Sequence, residues 1–388
     1  MRKIFLIFGA LMIILASCKN DGSGGRRHTK PEDGPKKDVA QTPTIKPNVN
    51  VYIDNSGSMK GFVDGVSEFR DLVHQYITND IKGNGDVSKV NTFFINNTLS
   101  PCVIPNSLNN SNNLNKKSTN IAELLKLILS KTGKDTISIF ISDCIFSPST
   151  GNSKHYLGQQ QVFIQDYFTN YKNNVDNATI IIYQLETPFK NNTKVPYYIW
   201  LIGERKQLLK ITNVVPQPKF NNQSVKNTFI VTSFSCVKYS INPSIGKFKK
   251  SKTDTKHTIK DLKKDSRTGK VKFAVNVDFS NLLLNDEYLL NSNNYENSSK
   301  YQLEIRPATV KGNGYTHTLN FNSDKVYKGT MIIKLKAVPC KWVEDSNDDE
   351  GIRPTEGKTY GIKYQLGGIF DAFTFYNKYY TEIKINIK

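Results

Sequence analysis

The chain has 388 residues, of which 38% are hydrophobic, and a formal net charge of +19. That length accommodates two domains with globular cores, and only five cysteines in so long a chain argue against a scaffold that depends on disulfides. The surplus charge is uneven. Residues 215–388 carry 28 bases and 17 acids, a net +11, whereas residues 48–214 carry 16 bases and 13 acids.

Residues 1–17 read as a targeting segment: Arg2 and Lys3 form a positive start, and Ile4 to Leu15 form an apolar stretch too short for a membrane span. Leu15-Ala16-Ser17-Cys18 follows and resembles a bacterial lipobox. The resemblance implies cleavage before Cys18, lipidation of that cysteine, and a place in the bacterial cell envelope, on the outer membrane. Lys19-Asn20-Asp21 faintly resembles the export signals of surface lipoproteins. Residues 18–47 hold Gly, Pro, Lys and Asp with almost no apolar side chains, so they read as a flexible tether.

The first folded stretch spans 48–214. Val49 to Ile53 predicts a short buried strand that delivers Asp54, Ser56 and Ser58 into a turn bent at Gly57. Helical spacing runs from Phe62 to Ile81. Lys89 to Asn96 predicts a second strand, and a short antiparallel edge strand is placed around Cys102 to Ile104. Ser118 or Thr119 is a sensible N-cap for a helix to Lys131. Ile137 to Ile141 predicts a strand ending in Ser142-Asp143. A helix over Gln159 to Lys172, strands over Ala178 to Leu185 and Tyr197 to Ile202, and a short helix from Glu204 to Thr212 complete the alternation. Strands alternating with helices predict a doubly wound, mostly parallel α/β sheet, whose carboxyl edge collects Asp54, Ser56, Ser58, Thr119 and Asp143.

These three segments, in this chain order, resemble the von Willebrand factor A domain and its metal-ion-dependent adhesion site. The resemblance covers somewhat under half the chain. It implies that Ser56, Ser58 and Thr119 present oxygens to Mg²⁺ (or Mn²⁺ or Ca²⁺), with Asp54 and Asp143 contacting the ion directly or through water. It also implies an open coordination position for a carboxylate from a protein partner. Two positions depart from the pattern. Cys144 stands where the family usually has Gly, and Ser118 stands where members often have Gly.

From about 215 the pattern becomes β-rich. Strands are predicted over Asn227 to Ser233, Val271 to Phe279, Tyr301 to Arg306, Thr316 to Phe321, Met331 to Ala337 and Glu382 to Ile387, in a domain of sandwich type. Ile369 to Tyr376 reads as a short helix or buried turn. Lys247 to Lys272 holds eleven bases and three acids. Contact with nucleic acid, acidic polysaccharide or lipid headgroups is one reading of it. With few aromatics among the lysines, the stretch is read instead as a solvated loop, and nucleic acid is not expected as a partner. Glu344 to Gly351 reads as a solvated acidic loop, His155 as a solvated loop residue. Cys102, Cys144, Cys236 and Cys340 allow three pairings, among which sequence does not choose.

The expected function is that of a lipid-anchored envelope protein that binds a divalent cation and, through it, a protein partner. No Ser-His-Asp grouping, H-E-x-x-H or Gly-rich phosphate loop appears, so no catalytic residue is assigned. A metal-dependent hydrolase or its accessory subunit, and a structural scaffold without metal, stand as alternatives.

Overall fold

Val49, Val51 and Ile53 are fully buried, and this β-branched run forms β1 (Asn48–Asp54), a central strand of a seven-stranded sheet. The computed structural model describes residues 46–64, 67–114, 120–147, 153–189, 193–309, 314–351 and 356–388. The signal segment, Cys18, the tether and Thr119 lie outside the described residues. After β1 come α1 (Lys60–Val63) and α2 (Glu68–His74), which continues as a π-helical turn over Gln75–Ile81. Ser67 Oγ caps α2, accepting from Arg70 N at 3.1 Å. Then follow β2 (Lys89–Ile95), β3 (Leu99–Pro101), α3 (Ile121–Ser130) and β4 (Thr136–Ser142). The long α4 (Ser153–Asn174) leads to β5 (Ala178–Pro188), β6 (Lys194–Glu204) and α5 (Arg205–Thr212). A two-residue ladder of β7 (Lys219–Phe220) and β8 (Gln223–Ser224) precedes β9 (Asn227–Thr232).

The order in the sheet is β3-β2-β1-β4-β6-β5-β9. Only β2, β1 and β4 run parallel to one another; β3, and every pairing from β4 outward, is antiparallel. The expected doubly wound, mostly parallel sheet is therefore wrong, and the arrangement is not clearly that of a von Willebrand factor A domain. The cause is physical. The connection from Pro188 to Lys194 is far too short for a crossover, which takes roughly a dozen residues or more, so β5 and β6 pair as a hairpin. Alternate strand residues still face opposite ways into two cores. Val51, Ile53, Ile139 and Ile181 pack towards α1, α2 and α5, whereas Tyr52, Phe140, Ile180 and Trp200 pack towards α3 and α4.

The remaining strands are β10 (Lys238–Lys250), β11 (Thr258–Lys263), β12 (Val271–Asp278), β13 (Tyr295–Asn297), β14 (Gln302–Pro307), β15 (His317–Ser323) and β16 (Gly329–Lys336). A short α6 (Asp286–Leu290) lies between β12 and β13. With β19 (Tyr379–Ile387) these strands form one sheet, ordered β13-β16-β19-β11-β10-β12-β15-β14. The sandwich expectation is also corrected: one eight-stranded sheet curls into a nearly closed barrel. Its two edge strands, through Tyr295 and Ile305, feed the same core. The Lys247–Lys272 stretch is not a single loop, because it contains the end of β10, all of β11 and the start of β12.

Between β16 and β19 the chain returns to the first sheet. Here α7 (Lys341–Asp345), the parallel two-residue pair β17 (Asn347–Asp348) and β18 (Thr359–Tyr360), and α8 (Ile362–Thr374) are formed. Ile362, Leu366, Ile369 and Phe373 of α8 join the core beneath α4. The acidic loop is ordered and compensated: Lys363 Nζ meets Asp349 Oδ2 at 2.6 Å. The four described cysteines form no disulfide with one another.

Candidate metal centre

Parallel pairing of β1 with β4, in the register Ile53↔Ile141, brings the ends of both strands to the same sheet edge. Asp54, Ser56, Ser58 and Asp143 therefore meet there, as the sequence predicted. Thr119 lies outside the described residues. The cap of α3 is Asn120, whose Oδ1 accepts from Ala122 N at 3.1 Å and Glu123 N at 3.4 Å, in place of the expected Ser118 or Thr119.

Asp54 is fully enclosed and its two oxygens are held. Oδ1 accepts from Ser56 N at 2.8 Å, and Oδ2 accepts from Ser142 Oγ at 2.7 Å. Ser56 Oγ and Ser58 Oγ lie 3.0 Å apart. Asp143 is also enclosed, with Oδ1 accepting from Ile145 N at 3.1 Å. Its Oδ2 is buried and has no hydrogen-bond partner among the described residues; the same is true of Asn55 Oδ1. Burial, reinforced by the charge of Asp54, pushes the Asp143 carboxyl up to about 7, and the nearby Ser58 hydroxyl offsets part of that.

Two carboxylates enclosed together, with no base between them among the described residues, repel, and an orphaned carboxylate oxygen carries the full cost of desolvation. Oxygen donors of this kind suit a hard divalent cation, which tolerates retained waters. Among the described residues no three or more His, Cys, Asp or Glu side chains are placed to hold a metal ion together. The donor set thus rests on two carboxylates and two hydroxyls, and it fits Mg²⁺ or Mn²⁺ better than a metal that prefers nitrogen or sulfur.

The loop after Asp143 is held from several sides. Cys144 takes φ 57°, the left-handed region that favours glycine, at the position where the family resemblance implies Gly. Its thiol is buried and is pushed well above its ordinary range by burial and by Asp143, so it acts as packing and not as a ligand. The Met59 sulfur accepts from Asp143 N at 3.2 Å. Gln365 of α8, fully buried, donates from Nε2 to the Cys144 carbonyl at 2.5 Å. Sequence reasoning missed Ser142, Met59 and Gln365. Ser142 was visible as the residue before Asp143, but nothing in the sequence marks a contact spanning 221 residues. His155 lies on α4 and not in a loop, 3.1 Å from Gln159 Nε2.

No family model, curated protein or solved structure matches the chain.

Proposed function

We propose that this protein is a lipid-anchored envelope protein that binds a divalent cation at the edge formed by β1 and β4 and recruits a protein partner through it. Asp54, Ser56, Ser58 and Asp143 would hold the ion, with Thr119 as a further ligand. The ion would supply an open position for a partner carboxylate, and this chain's part is to enclose the carboxylates, orient them and keep bulk water out. The observation that carries the reading is Asp143 Oδ2, buried without a hydrogen-bond partner among the described residues, beside a second enclosed carboxylate. An ion there would offset a repulsion that the protein side chains leave uncompensated.

Calorimetry with Mg²⁺ and Mn²⁺ on the wild-type protein and on Asp143→Ala tests the site. Micromolar to millimolar binding by the wild type and none by the variant is expected; equal affinities would sink the reading. Capture from envelope extract with and without EDTA tests the partner, and recovery indifferent to EDTA removes the metal from that step. The anchor rests on Leu15-Ala16-Ser17-Cys18. Cys18→Ala is expected to move the protein from the membrane fraction to the soluble exported fraction.

A further inference from the structure

The cationic surplus of the C-terminal half is gathered at one end of the barrel. There β10 pairs with β11 in the register Lys247↔Lys263 and Lys249↔Lys260, β12 starts at Val271 opposite Ser323, and β16 starts at Gly329 opposite Ile387. The connections 264–270 and 324–328 therefore emerge at the same end, next to the Lys247–Lys263 pair, a convergence that the sequence order hides, while 251–257 enters β11 from its other end. Charge influence of Lys328 on Asp261 places the last connection within reach of the β10–β11 pair. Outside 251–257, residues 247–272 hold nine bases and two acids, and residues 324–328 add two bases and one acid, so the pole carries a net +8.

Every one of those eleven basic side chains is exposed. Two of the acids are taken up locally, Asp261 by Lys249 at 3.1 Å and Asp265 by Lys247 at 3.6 Å. Lys250, Lys264, Arg267 and Lys270 have no salt bridge among the described residues. Placing lysine directly opposite lysine on neighbouring strands works against the sheet, and that arrangement is compensated when an anionic surface lies over it.

We propose that this pole is a docking surface for a phospholipid bilayer bearing anionic head groups. The charges sit on strand ends and connections around a barrel end, a rim that meets many head groups of a plane at once. Single-stranded nucleic acid is held differently, along a basic groove with exposed rings for stacking. Within 247–272 the one aromatic ring of Phe, Tyr or Trp type is Phe248, which packs half-buried against the barrel core. The choice of a bilayer over other polyanions rests in part on the envelope reading above, but the binding itself does not involve the metal centre.

The test is sedimentation of the full chain carrying Cys18→Ala, without lipid and in EDTA, with phosphatidylcholine vesicles that either contain or lack phosphatidylglycerol. Binding is expected only to the anionic vesicles and is expected to fall steeply with salt. Replacing Lys250, Lys264, Arg267 and Lys270 by Gln is expected to weaken binding at least tenfold, at about fivefold for each basic residue near the surface. Neutralising the exposed Lys82, Lys89, Lys131 and Lys134 instead alters the net charge equally and is expected to leave most of the binding. Equal losses in the two quadruple variants, or equal binding to both vesicle types, would overturn the proposal. So would retention on heparin or duplex DNA at a salt concentration where vesicles no longer bind. Because EDTA is present throughout, these outcomes are independent of whether the metal reading survives.

Discussion

Replacing Asp143 by Asn separates the cost of the carboxylate pair from the integrity of the fold. In the metal-free protein Asp143 holds its proton up to about pH 7, against an ordinary 3.8, because of burial first and Asp54 second. The folded state therefore binds this proton more tightly than the unfolded chain does. Stability is favoured at low pH and lost as pH rises from about 4 to about 7. At about 1.4 kcal/mol for each tenfold in proton affinity, the cost is about 1–2 kcal/mol at pH 5 and reaches about 4 kcal/mol at pH 8. The amide of the Asp143→Asn variant would carry no charge and would keep an acceptor for Ile145 N. At about 2 °C per kcal/mol for a chain of this size, the variant should melt about 3 °C above the wild type at pH 5 and about 8 °C above it at pH 8, in EDTA. Saturating Mg²⁺, at a hundred times its Kd, should return about 2.7 kcal/mol to the wild type at pH 8 and nothing to the variant. Scanning calorimetry at the two pH values, with and without Mg²⁺, measures all four quantities. A gap between the two proteins that does not change with pH, or equal stabilisation of both by Mg²⁺, would refute the reasoning.

Gln365→Leu leaves the buried Cys144 carbonyl without its donor and should cost about 1–3 kcal/mol by urea denaturation, with weaker Mg²⁺ binding in calorimetry. A loss of stability without any loss of metal affinity would show that α8 does not position the loop. Gly361→Ala places a Cβ 2.5 Å from the Phe146 ring and 2.6 Å from a Leu157 methyl at φ 78°, so thermal melts should show a loss of about 1–3 kcal/mol or more. Among Cys102, Cys144, Cys236 and Cys340, the exposed Cys236 should be alkylated first at neutral pH, since burial pushes Cys102 and Cys340 each to about 11. Mass spectrometry after timed labelling reads this out, and early modification of Cys144 would contradict the packing described.

Much of the local structure was legible because it depends on near neighbours. The strand before Asp54, the strand before Asp143 and the helix after Asn120 all carry apolar periodicity that their own residues supply. Sheet direction was misread because alternation of strands and helices was given more weight than loop length. The expected strands, 178–185 and 197–202, left eleven residues between them, whereas β5 and β6 run on until only five separate them, which permits a hairpin and forbids a crossover helix. The barrel was misread for a different reason. Whether antiparallel strands close on one core or divide into two sheets is decided by long-range pairings such as β11 with β19. No local pattern encodes those pairings.

The site divides along the same line. Asp54, Ser56 and Ser58 are close in sequence, and Asp143 ends the strand that pairs with β1, so their convergence follows from one parallel register. What holds the second loop in shape does not. Cys144 sits in a backbone region that a non-glycine residue enters at a cost of about 1–2 kcal/mol, and a strained residue persists only where its surroundings over-determine it. Those surroundings are Met59 from the first turn, Ser142 Oγ bonded to the Cys144 amide at 2.9 Å, and Gln365 from a helix at the far end of the chain. The strand and helix that return from beyond residue 214 thus do more than cover the sheet. By fixing the carbonyl that follows Asp143, α8 keeps that carboxylate turned towards Asp54, and the charge repulsion that calls for a cation is maintained by packing contributed from the C-terminal half.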